Sequence, residues 1–351
     1  MATIKEVARR AKVSVGTVSN VVSGSAPVSP KLRERVLKAI SDLDYQPNHV
    51  ARSLKVRQTR MLGMVVSDIT NPFFPQMVRG AEDAALSHNY LLVTINTDDH
   101  LEREKQILSV LRTRRVDGIL LVMSPNDGDV THIRNTIAAG IPVVCLDRLP
   151  PSLSVDSVAT DNVKGAEMCV RHLISMGHLH IGIITGSVKL QTASDRLKGY
   201  ENALREAGVP IDRNLIREGD FRLEAGYRLS KGLLLSAKRP SALFATNALM
   251  GLGAVKAAEE LGLRCPQDVA IAMFDDLPIA EALRPHLTAV AQPAYSIGFQ
   301  GAELLIGRIE GSVNGKKPIT IRLEPELRVR ESSLGSVSPA RLFETGVPAQ
   351  G

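Results

Sequence analysis

Residues 3–22 read TIKEVARRAKVSVGTVSNVV, and this stretch decides how the rest of the chain is understood. Ile4, Val7, Ala8 and Ala11 recur at i, i+3, i+4 and i+7, one apolar face of a short helix. Thr3 stands where a hydroxyl can cap that helix, and Glu6, three residues on, completes a capping box. Lys12-Val13-Ser14 then breaks the pattern for the length of a turn. Ser14 caps a second helix whose inward face is Val18, Val21 and Val22. Two short helices across a three-residue turn make a helix-turn-helix, in which the second helix lies in the DNA major groove. Any small helical domain can show the same periodicity, so charge has to separate the two readings. Residues 1–60 hold twelve Lys/Arg and four Asp/Glu, a net +8, while the whole chain is +6. The remaining residues are therefore net −2, and the basic excess sits on the helical head, as a surface that neutralises phosphates requires.

A chain of 351 residues is too long for one core and suits two or three domains. Its 44% hydrophobic content is that of a soluble globular protein. The start of the chain is polar and helical from residue 3, unlike a signal peptide, and no apolar run approaches the roughly 18 residues of a membrane helix. A cytoplasmic location follows as the expectation. Cys145, Cys169 and Cys265 are far apart and form no CxxC, so they read as small buried apolar residues of a reducing compartment.

After the helix pair, a third helix is expected. Ser29 caps it, Pro30 sits in its first turn, and Leu32, Val36, Ile40 and Leu43 form its buried stripe. Three helices close a head over residues 1–46. Residues 47–60 hold a short amphipathic segment, with Val50, Ala51 and Leu54 on one side, too short to keep a helix unless a partner copy or DNA orders it, followed by a linker. From Met61 the period changes. Strand-like runs at 62–66, 91–95, 118–123 and 142–146 alternate with helical stretches at 75–88, 101–115 and 129–139. The pattern recurs with strands at 181–185, 242–245 and 269–274 and helices near 194–207, 224–235 and 249–261. The two halves lie on each other at an offset of about 120 residues, which predicts two similar lobes with parallel sheets. Open α/β sheets bind ligands at the carboxyl ends of their strands, so facing lobes place a closable cleft between them. The Ser-, Pro- and Gly-rich tail over 332–351 is expected to be disordered.

The head motif, together with YQPNHVARSL, NPFF, RRVDGILL, GIPVV and FDD in that order, resembles the lactose/galactose-repressor family of bacterial transcription regulators over about residues 2–331. The resemblance implies an all-α helix-turn-helix head on a periplasmic-binding-protein-like core at 61–331. Lobe 1 would be about 61–160 plus 291–322 and lobe 2 about 163–288, with three chain crossings and a homodimer or higher assembly. It implies a regulator, most often a repressor, that binds a pseudo-palindromic operator and responds to a sugar or sugar derivative. A purine or a protein co-regulator on the same architecture is the alternative.

Carried over by position, Val15, Gly16 and Asn20 would face base edges, and Ser14, Thr17 and Ser19 could reach phosphates. Asn20 suits a bidentate contact to adenine, worth about 1–3 kcal/mol of discrimination. Val15 offers apolar contact, or packs into its own head. Gly16 departs from the larger residues common there and costs up to about 1 kcal/mol in a helix interior. In the hinge, Leu54 would be the minor-groove wedge and Ala51 the small neighbour that lets two hinge helices approach. In the cleft, Asn71, Phe73 and Phe74 follow the first strand, where the rings suit the apolar face of a sugar or pack in the core. Arg148, Arg196 and Asp275 resemble polar ligand anchors, with Asp147 and Asn247 in equivalent loop positions. Ala248 stands where the family often has an acid.

Other classes fit poorly. G-x-x-x-x-G-K-[ST], G-x-S-x-G and H-E-x-x-H are absent from the sequence, and Gly251-Leu252-Gly253 lies inside a helical pattern. His172, His178 and His180 span a helix end and a strand without a matching Cys or carboxylate cluster. No catalytic residue, metal or cofactor is expected. A free solute-binding protein would not carry the basic head.

Overall fold

The computed structural model describes residues 2–23, 26–45, 58–150, 152–282, 284–315 and 317–335. The chain forms two compact units, Met1–Thr59 and Arg60–Gly351.

In the first unit, α1 (Ile4–Ala11) opens on the capping box that the spacing predicts: Glu6 accepts from the Thr3 amide at 2.6 Å while Thr3 Oγ1 accepts from the Glu6 amide. Lys12, in the left-handed region at φ 51°, ends the helix. α2 (Val15–Ser23) starts on Ser14, whose Oγ accepts from the Thr17 amide at 3.1 Å. α3 (Pro30–Asp42) differs from expectation at its start. Ser29 makes no side-chain cap, and its backbone carbonyl takes the Leu32 and Arg33 amides at 3.0 Å. Val7, Ala8, Ala11, Val18, Val36, Ala39 and Tyr45 form the small core. Arg35 reaches back from α3 to the Ala11 carbonyl at 2.5 Å, satisfying an orphan acceptor at the end of α1.

The second unit holds two six-stranded sheets. The first contains β1 (Met61–Val66), β2 (Leu91–Asn96), β3 (Gly118–Leu121), β4 (Val143–Leu146), β5 (Asp156–Thr160) and β11 (Thr320–Leu323), in the order β11-β5-β4-β3-β1-β2 and parallel throughout. The second contains β6 (Ile181–Thr185), β7 (Ile216–Glu218), β8 (Ala242–Ala245), β9 (Ala270–Phe274), β10 (Thr288–Ala291) and β12 (Glu326–Arg328), in the order β12-β10-β9-β8-β6-β7. There β12 runs antiparallel to β10. The central strands are buried on both faces, which is why they read as unbroken apolar runs.

The first sheet is flanked by α4 (Phe73–Ser87), α5 (Leu101–Thr113), α6 (Thr131–Ala138) and α11 (Ala294–Glu310). The second is flanked by α7 (Asn162–Ser175), α8 (Gln191–Glu206), α9 (Leu223–Leu234) and α10 (Ala248–Glu260). The chain passes between lobes after β5, after β10 and after β11. Lobe 2 therefore runs past the expected boundary at 288: β10 completes a pairing with β9, and β12 returns to the same sheet. α4 and α11 cross at contact distance, where a Cβ on Gly298 would lie 1.8 Å from the Met77 carbonyl oxygen and one on Gly80 2.0 Å from that of Tyr295.

The start of the expected disordered tail is built into lobe 2. Ser332 and Ser333 are fully buried. Ser332 Oγ donates to the Ile271 carbonyl at 2.6 Å and accepts from the Thr288 amide at 2.8 Å, so its polarity is spent inside rather than in water. Residues 336–351 lie outside the described residues. Cys145 and Cys169 are buried, but Cys265 is only partly so, with Sγ against the Ser332 carbonyl.

Candidate functional site

The carboxyl ends of the two sheets face one cleft. Asn71, Phe73, Phe74, Arg148, Arg196, Asn247 and Asp275, the cleft residues expected from the sequence, all line it. Its volume is about 30 Å³, far below the ~300–1,000 Å³ of most ligand pockets, so the cleft is narrow, and a neighbouring cavity of about 210 Å³ shares Phe73, Asp275 and Gln292 with it.

Lobe 1 contributes Asn71 with the two Phe rings, and Asp147 with Arg148. Asn71 Oδ1 accepts from the Phe73 amide at 3.1 Å, which turns the chain from β1 into α4. Phe73 and Phe74 meet edge to face, their centroids 5.2 Å apart. Both rings belong to the lobe-1 core and both line the cleft, so packing and cleft-lining are roles held together. Arg148 is anchored by the Met123 carbonyl at 2.8 Å and by Asp99 at 2.5 Å.

From lobe 2, Arg196 on α8 donates to Asn162 Oδ1 at 2.7 Å and to the Thr246 carbonyl at 2.6 Å. Its guanidinium stacks 3.9 Å from the Phe274 ring centroid. Asp147 directly follows β4 and Asp275 directly follows β9, both in the left-handed region, at φ 60° and 69°. These two acids are each other's counterparts in the two lobes. Asn247 instead follows β8, the counterpart of β3, so Asp147 and Asn247 are not equivalent. Burial pushes both carboxyls above the ordinary range, opposed chiefly by the Arg196 charge. Burial likewise lowers the Arg196 guanidinium, opposed by Asp275 and Asp147. Gln292, on the second crossing, donates to Asp275 at 2.5 Å. Asp276 points elsewhere, to Arg328 and Arg330 at 2.7 Å.

Several buried polar atoms of the cleft residues and their neighbours have no hydrogen-bond partner: Ser67 Oγ, Asp147 Oδ1, Arg148 Nε, Thr246 Oγ1 and Gln292 Oε1. Such orphans are costly unless a polar ligand meets them. Sequence reasoning passed over Phe221, Gln292 and Thr192, which also line the cleft. Phe221 and Gln292 follow the carboxyl ends of β7 and β10, which are short and carry little pattern of their own, while Thr192 lies in the first turn of α8. The three histidines go to separate partners, His172 to Ser333, His178 to Ser241 and His180 to the Arg239 carbonyl.

In the head, Val15 is 42% exposed, which removes the packing alternative. Gly16 is exposed as well. Ser14 and Thr17 hydroxyls lie 2.9 Å apart and bond each other as part of the α2 cap. Ser19 and Asn20 are half-buried on the same helix. The expected hinge residues Ala51 and Leu54 lie outside the described residues.

A helix-turn-helix head on a two-lobed sensor with a polar interlobe cleft defines a ligand-responsive DNA-binding regulator. Comparison with known proteins agrees. Residues 3–48 match the model for bacterial regulatory proteins of the lacI family, and residues 170–333 match a periplasmic binding protein-like domain. The ribose operon repressor of Haemophilus influenzae is 36% identical over 334 residues, covering 95% of this chain and 98% of that protein. The HTH-type transcriptional repressor PurR of Photobacterium profundum is 33% identical over 332 residues, covering 95% and 98%. The Lac repressor dimer bound to operator and an anti-inducer superposes with a TM-score of 0.84 at 27% identity, covering 95% and 99%. The chain belongs to the lacI family of bacterial transcriptional regulators, DNA-binding repressors with small-molecule effectors. Among the described residues no helix is long and apolar enough to cross a membrane.

Proposed function

We propose that the effector is a small neutral sugar of about the size of ribose, held between the lobes, and that the chain acts by binding alone, in the cytoplasm, as a homodimer on a pseudo-palindromic operator. The observation that carries the effector assignment is the set of orphaned donors and acceptors around Asp147, Arg148 and Gln292, flanked by the Phe73 and Phe74 rings. Vicinal hydroxyls each donate and accept, so they can meet carboxylates and guanidinium groups at once. Hypoxanthine offers fewer N–H donors than D-ribose has hydroxyls. The cleft lining also holds five aspartates against three arginines, which disfavours phosphorylated or carboxylate ligands. That one relative is named a ribose operon repressor fits this choice.

The narrow cavity implies that uptake is coupled to lobe movement, and effector binding and operator binding then influence each other reciprocally, typically by about 1–3 kcal/mol. Ser14, Val15, Gly16, Thr17, Ser19 and Asn20 are the residues we assign to the operator contact, with Ala51 and Leu54 in the minor groove. The test is calorimetric titration of the full chain with D-ribose, ribose 5-phosphate and hypoxanthine. D-ribose should bind and shift operator affinity, and Asp275→Ala should abolish both effects. Tight binding of hypoxanthine with none of D-ribose would overturn the assignment. Sedimentation of the full chain as a monomer would remove the dimer.

A further inference from the structure

Phe221, between β7 and α9, has φ 65°, a region that a bulky residue enters only when its surroundings force it. Two contacts do the forcing. Asn247 Nδ2 donates to the Phe221 carbonyl at 2.8 Å, while Asn247 Oδ1 accepts from the Met250 amide at 3.0 Å and caps α10. The ring itself rests on Gly186, at the carboxyl end of β6, where a Cβ would come within 2.3 Å of its Cε2 and Cζ.

We propose that Asn247 is a positioning residue: its amide clips the loop at 219–222 to the start of α10 and thereby holds the Phe221 ring as the aromatic wall that lobe 2 gives the cleft. With Phe73 and Phe74 contributed by lobe 1, that wall limits the size of sugar admitted. The inference rests on the sugar reading above and goes beyond it, because it gives a residue expected to touch ligand a role exercised through another side chain.

A thermodynamic cycle on the full chain tests it, with D-ribose as the probe. Asn247→Ser keeps a hydroxyl able to cap α10 but loses the amide donor. Asn247→Ser and Phe221→Ala should each weaken D-ribose binding by about tenfold or more, and the double variant should be no weaker than Phe221→Ala within about twofold. Equal fold-losses from Asn247→Ser with and without Phe221 would show an independent ligand contact and overturn the proposal. Hydrogen–deuterium exchange gives a readout that needs no ligand. Asn247→Ser should expose the amides of 219–222 while those of 248–251 stay protected, and unchanged exchange at 219–222 would also overturn the clip. If the wild-type chain took up no D-ribose, the sugar reading would fall and the exchange result alone would decide. Gly186→Ala, which displaces the ring without touching Asn247, should reproduce the affinity loss of Phe221→Ala and serves if Asn247→Ser does not fold.

Discussion

Replacing Arg196 by Met should destabilise the core by about 3–5 kcal/mol near neutral pH, because it strips the largest compensating charge from two buried carboxyls and leaves only Arg148 near Asp147 and Gln292 on Asp275. Arg196 is 3% exposed, and Asp147 and Asp275 are 5% and 6% exposed, so solvent screening is slight. At roughly 2–4 °C per kcal/mol for a domain of this size, the melting temperature should fall by about 6–20 °C. The pH dependence follows from the direction of the shifts. Both carboxyls have folded-state values above their unfolded ones, so their contribution to stability is greatest below the unfolded pKa and is lost as pH rises through the folded one. Removing Arg196 raises them further, so the deficit of the variant should be smaller at pH 5 than at pH 8, what remains at pH 5 being the lost bonds to Asn162 and the Thr246 carbonyl. Scanning calorimetry of wild type and variant at both pH values measures it. Adding Asp147→Asn and Asp275→Asn should return much of the loss, since neither buried charge then lacks a partner. A deficit equal at pH 5 and pH 8, or untouched by the Asn substitutions, would refute this account of the cleft electrostatics.

Gly16→Ala should stabilise α2 by up to about 1 kcal/mol, because its Cβ would meet only Ser14 Oγ at 3.6 Å, and exchange protection of the α2 amides would report it. Gly298→Ala should cost at least about 1–3 kcal/mol by forcing α4 and α11 apart, read by urea denaturation with the α4 amides exchanging faster. Ser332→Ala should cost about 1–3 kcal/mol by leaving the Thr288 amide and the Ile271 carbonyl short of a partner, and calorimetry of the full chain is the check.

How much of this was legible in the sequence depended on whether burial left a periodic trace. β1, β6 and β8 stood out because both faces are buried, and α1 because its apolar face and capping box are local. β5, with sequence DSVAT, is equally buried but carries a polar composition that resembles a loop. α11 packs against the sheet on one side and α4 on another, so its apolar residues spread around the helix and hide its period. In the cleft, Arg148, Arg196 and Asp275 were legible through the family resemblance, and Arg148 and Asp275 also because they follow apolar runs, whereas Arg196 lies within α8. Phe221 was not: its position depends on a side-chain amide 26 residues away and on the missing side chain of Gly186, neither of which leaves a local pattern. Ser332 and Ser333 show the opposite failure, where a composition typical of solvated chain is consumed by long-range hydrogen bonds.

Passing the chain through the joint three times has a mechanical result. A single tether would let one half swivel about any axis, whereas three tethers resist torsion more than hinge bending. A molecule held in the gap would then act chiefly on that one angle between the lobes.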